Sequence, residues 1–128
     1  MIGYKKLLSI GKNEAKDKPI EINIDTCKLP DDEVIDVVVE SENKSPISKY
    51  RIYCFCDNTY IYNIYSGYTC SIRGRGLISL KISDNYVDIY KDSVSMYSHE
   101  ENNDLLILNR MSPINVFVSS NIDRMLFL

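Results

Sequence analysis

Tryptophan and glutamine are missing from the 128 residues, alanine occurs once (Ala15) and histidine once (His99). Ala and Gln are strong helix formers, so their scarcity argues against a helical bundle. No apolar run exceeds four residues, as in Leu105-Leu106-Ile107-Leu108. A membrane-spanning helix needs about 20, so none is expected. Lys5-Lys6 precede Leu7-Leu8-Ser9-Ile10, but Lys12 ends that stretch early. A secretory signal needs an apolar segment of about 7–15 residues, so no signal peptide is expected. The expected location is the cytoplasm, or a virion assembled there. No basic run stands out in a chain of net charge -3. Nucleic acid, which selects a clustered basic face, is therefore not an expected partner.

What is abundant points to sheet. Ile (17), Asn (11), Lys (10) and Tyr (10) make up 48 residues. Ile and Tyr suit pleated, half-buried surfaces. The same four types have AT-rich codons, which points to an AT-rich genome such as a low-GC bacterium, a phage or a large DNA virus. With 45% hydrophobic and 26% charged residues, the chain has enough apolar material for an ordered core. Its length fits one domain spanning 1–128.

Period-two alternation is the main structural signal. Ile20, Ile22 and Ile24 share one face, as do Ile78, Leu80 and Ile82. The denser run 34–39, with Val37-Val38-Val39, predicts a central strand covered on both faces. Further strands are predicted at 4–10, 48–56, 59–65, 68–73, 86–91, 93–98, 104–109, 114–119 and 124–128. Turn-forming Asn, Asp, Gly and Pro fall between them, as in Asp57-Asn58, Ser66-Gly67 and Gly74-Arg75-Gly76. The spacing from 48 to 98 predicts a meander of hairpins. The expected fold is an all-β, single-domain antiparallel sandwich or jelly-roll-like arrangement of about 8–10 short strands. At most one short helix is expected, at 12–17 or 120–126.

No catalytic constellation emerges. Cys27, Cys54, Cys56 and Cys70 could make a four-ligand zinc site, but Cys54 and Cys56 are separated by one residue, not two to four. On a strand they share a face, and buried free thiols are the preferred reading. His99, in Ser98-His99-Glu100-Glu101, lacks a nucleophile-elbow motif to serve and reads as a loop residue. The acidic stretches Asp31–Glu33 and Glu100–Asp104 lack the calcium-loop pattern. No metal, cofactor or enzymatic activity is expected.

Interaction residues are a different matter. Tyr50, Tyr53, Tyr60, Tyr62, Tyr65 and Tyr68 lie within nineteen residues. On strands, Tyr53 shares a face with Arg51 and Phe55, and Tyr60 with Tyr62. Tyr and Arg are enriched at interface hot spots. Arg73 and Arg75 are expected at a hairpin tip, where they could meet a phosphate backbone or an acidic partner. Met125, Leu126, Phe127 and Leu128 form an apolar end suited to docking on a neighbour. These residues define the expected interface. The expected function is a non-enzymatic structural or assembly subunit, such as a decoration, fibre or tail protein of a virus or phage particle. Its partner would be itself or a neighbouring subunit. The alternative is an intracellular inhibitor, immunity or anti-defence protein that blocks one protein partner through its acidic segments.

Overall fold

Alternation of buried and open residues runs through most of the strands, because one face of each must leave water. The computed structural model describes residues 4–11, 19–101, 103–109 and 112–119. The predicted strand 124–128, both predicted helix positions and the interface residues Met125, Leu126, Phe127 and Leu128 lie outside them. The strands are β1 (Tyr4–Ile10), β2 (Ile20–Asp25), β3 (Val34–Ser41), β4 (Pro46–Phe55), β5 (Asn58–Asn63), β6 (Thr69–Arg73), β7 (Leu77–Ile82), β8 (Tyr86–Lys91), β9 (Val94–Glu100) and β10 (Ile114–Ser119). A helix, α1, covers Asp104–Asn109, and a 3-10 turn covers Thr26–Lys28.

Two antiparallel sheets result: β1-β10-β3-β4-β5-β6, and β2-β7-β8-β9. This is an all-β sandwich. Ile20, Ile22 and Ile24 of the smaller sheet and Val37, Val39 and Ile52 of the larger belong to one buried cluster. Each such side chain contributes about 1.5–3 kcal/mol on leaving water. The open edge of β6 is blocked by the other sheet. Tyr97 Oη donates to Ser71 O at 2.8 Å, and Lys91 Nζ to Arg73 O at 2.8 Å. Edge groups satisfied in this way resist pairing with another chain.

Several sequence expectations need correction. Residues 104–109 form a helix, not a strand. Asn103 is tied to the β7–β8 connection, donating through Nδ2 to Ser83 O and through its backbone N–H to Asp84 O. From there Ile107 N–H bonds Asn103 O at 3.0 Å, closing a helical turn. Leu106 is fully buried while Leu108 is 76% exposed, which a period-two strand would not produce. The continuous apolar run carries no period, so it could not report this. Residues 48–73 and 77–100 are two meanders in different sheets rather than one. Gly74–Gly76 is therefore a crossover between sheets, not a hairpin tip. Thr26 fixes it, donating through Oγ1 to Gly76 O and accepting from Gly76 N–H, both at 3.0 Å.

Cys56 does not sit on β4 with Cys54. It is exposed in a two-residue hairpin turn with Asp57, at φ +50° and +60°. That geometry matches the right-handed twist of the flanking strands. His99 lies on β9, its ring stacked on Tyr68 at 3.6 Å, not in a loop. Val38 is only half-buried between buried Val37 and Val39, so β3 is covered on one face only.

Tyr50 is a core residue, 2% exposed, and is withdrawn from the expected interface. Its inward direction follows from sharing β4's buried face with Ser48, Ile52 and Cys54. Its hydroxyl makes no hydrogen bond of normal geometry, and burial raises its pKa far above the usual phenol range, only partly offset by the neighbouring Ser48 side chain. Stranding a buried polar group costs about 1–3 kcal/mol. Tyr50→Phe is therefore expected to raise stability by about 1–2 kcal/mol in chemical denaturation. A loss of stability would show that the hydroxyl is satisfied.

Candidate interaction surface

The outward residues of β3 to β6 stack in cross-strand rows. Val34, Tyr53, Tyr60 and Ser71 form one row, and Asp36, Arg51, Tyr62 and Thr69 the next. Tyr53 and Tyr60 stack with ring centroids 5.1 Å apart and planes 15° apart. Cross-strand aromatic pairs of this kind stabilise a sheet and hold the rings rigid. Arg51 grips Asp36 through two bonds, Nε to Oδ1 at 2.9 Å and Nη2 to Oδ2 at 3.2 Å. The paired Asp36 raises the guanidinium pKa. Both side chains keep contact with solvent, so the pair orients Arg51 more than it stabilises the fold. At the end of β4, Phe55 is 60% exposed, and Val34 beside it is 42% exposed.

The outer face of the smaller sheet is different in kind. Its rows carry Glu21, Lys81, Asp88 and Ser98, then Asn23, Ser79 and Tyr90. Ser79 Oγ donates to Asn23 Oδ1 at 2.6 Å, and Lys81 Nζ lies 4.7 Å from the Tyr90 ring centroid. These rows are largely polar and bonded to one another, while Tyr86, Val94 and Met96 of β8 and β9 are exposed as well. The larger sheet differs in that its aromatic side chains stack in adjoining rows, and contiguous apolar patches mark binding surfaces.

The expected interface residues thus separate. Tyr53, Tyr60 and Tyr62 lie together on the aromatic face. Tyr65 is exposed in the turn after β5, held there because its backbone N–H bonds Asn63 Oδ1 at 3.0 Å. Tyr68 faces His99 at the sandwich edge. Arg73 is exposed, while Arg75 pairs with Asp31. Asp36, Val38 and Phe117 of the same face were not singled out from sequence. Phe117 lies opposite Val38 on β10, a neighbour that only the strand order reveals.

All four thiols are free. Cys54 and Cys70 are buried, and burial pushes the Cys70 thiol up to about 11. Cys27 and Cys56 are exposed, so the expectation of four buried thiols fails for these two. Among the described residues no group of three or more His, Cys, Asp or Glu is placed to hold a metal ion. Among them, too, no helix is long and apolar enough to cross a membrane.

No protein-family model matches the chain. No curated protein matches it in sequence. A solved structure of sheep galectin-11 in complex with glycerol aligns over 95% of this chain and 96% of its own, with a TM-score of 0.42 and 10% identity. A likeness at that level transfers no site and no ligand.

Proposed function

We propose that the chain is a non-enzymatic assembly subunit whose aromatic sheet face pairs with a second copy of itself, as in a particle or fibre component. The observation that carries this reading is the contiguous patch of Val34, Tyr53, Phe55, Tyr60 and Tyr62 around the oriented Arg51. Tyr, Phe and Arg are the residue types enriched in protein interfaces. The face also carries both signs of charge, Asp36 and Glu40 against Lys49 and Arg51. A two-fold interface brings one patch against itself and so requires such self-complementarity.

The one-to-one inhibitor reading draws less support. Its acidic segments are partly engaged within the chain, with Arg75 on Asp31 and Asn63 Nδ2 on Glu101 Oε1 at 2.7 Å. Amide NMR spectra across a dilution series test the proposal. Concentration-dependent shifts are expected along 34–38 and 51–62, and not along 20–25 or 79–90. Spectra independent of concentration, or shifts confined to the smaller sheet, would contradict it.

A further inference from the structure

Four residues along β3 from Val34, about 13 Å at strand spacing, the same face opens into a hollow of about 450 Å3. Among the described residues its walls include the rings of Tyr4, Tyr65 and Phe117, and its charged groups are Lys44, Lys49 and Glu40. Lys49 Nζ lies 5.8 Å from the Tyr4 ring centroid, which holds an ammonium beside an aromatic wall. No described carboxylate comes within ion-pair distance of Lys44 or Lys49. The hollow is of the size that small-molecule sites occupy, and combines apolar walls with a few converging polar groups.

We propose that this hollow binds a small organic anion: an aromatic or other flat ring carrying a phosphate, sulfate or carboxylate. The three rings stack on or edge the ligand's ring. The ammonium groups of Lys44 and Lys49 attract its anionic group as point charges. Glu40 disfavours a second anionic group and accepts a hydrogen bond from a ring hydroxyl or amine. Of the residues given to association the hollow shares only the charges of Glu40 and Lys49 and none of the aromatic patch, so it does not rest on that patch being an interface.

The test is an NMR titration of the full chain with three probes: phenyl phosphate, inorganic phosphate and phenol. Phenyl phosphate is expected to shift amides near 38–40, 44, 49, 65 and 117 saturably. Inorganic phosphate and phenol, each carrying half of the recognised chemistry, are expected to bind about fivefold or more weakly. Removing both ammonium groups with K44Q/K49Q should weaken phenyl phosphate by about tenfold or more, while Glu40→Gln should tighten it about twofold. Glu40→Gln keeps side-chain length and Lys→Gln shortens it by one atom, both at exposed or half-exposed positions, and unchanged amide dispersion elsewhere shows that the variants fold. The proposal is overturned if phenyl phosphate and inorganic phosphate bind alike, if shifts scatter over all lysines, or if folded K44Q/K49Q binds as the parent does.

Discussion

Asn63→Ala is expected to destabilise the protein by about 2–4 kcal/mol. Asn63 ends β5 with its side chain buried. Its Oδ1 accepts from the backbone N–H of Tyr65 at 3.0 Å and of Ser66 at 3.2 Å, and Nδ2 donates to Glu101 Oε1 at 2.7 Å. One amide thus shapes the β5–β6 turn and ties the six-stranded sheet to the end of β9. A hydrogen bond to a charged group is worth about 1.5–3 kcal/mol, and each neutral one about 0.5–1.5. A cleft of about 220 Å3 runs alongside Asn63 and Glu101. Water entering it can solvate the abandoned carboxylate, which keeps the loss below the simple sum of the three. Urea titration followed by circular dichroism measures the change. A loss under about 0.5 kcal/mol would show that these bonds contribute little.

The second large effect concerns association. The double substitution F55T/Y60T removes one exposed ring and half of the Tyr53–Tyr60 stack, while Thr keeps the strand preference of both positions. Phe55 is mostly exposed and Tyr60 half-buried, so the fold should lose only about 1–2 kcal/mol. Hot-spot truncations cost about 2 kcal/mol or more in binding. A combined loss near 2.7 kcal/mol is a factor of about 100 in the dissociation constant. Arg51→Ala should act in the same direction more weakly, since Asp36 would be left unpaired at the same surface.

The legible and illegible parts of the fold differ in the range of the forces that decide them. Alternation in Ile20–Ile24 and in Ile78–Ile82 reports burial directly, because neighbouring strand residues point to opposite faces. The shared face of Arg51, Tyr53 and Phe55 follows from the same rule. The sheet to which a meander belongs does not, for it depends on Thr26 meeting Gly76, fifty residues away. Leu105–Leu108 misleads because a continuous apolar run fits a strand or a buried helix equally, and the tether at Asn103 decides. Tyr50 misleads in another way. Counting tyrosines in sequence mixes β4's inward Tyr50 with its outward Tyr53, three positions apart and therefore on opposite faces. Phe117 and Tyr4 join the outer face of the larger sheet only because β10 inserts between β1 and β3, an order that no local pattern encodes.

Light scattering on the full chain and on F55T/Y60T, over a concentration series reaching about 1 mM, is the measurement that bears most directly on the aromatic face. The account predicts that the parent's mass rises from one chain to two or more, and that the folded variant stays at one chain throughout. A parent that remains a single chain at every concentration, or a variant that associates as strongly as the parent, would contradict it.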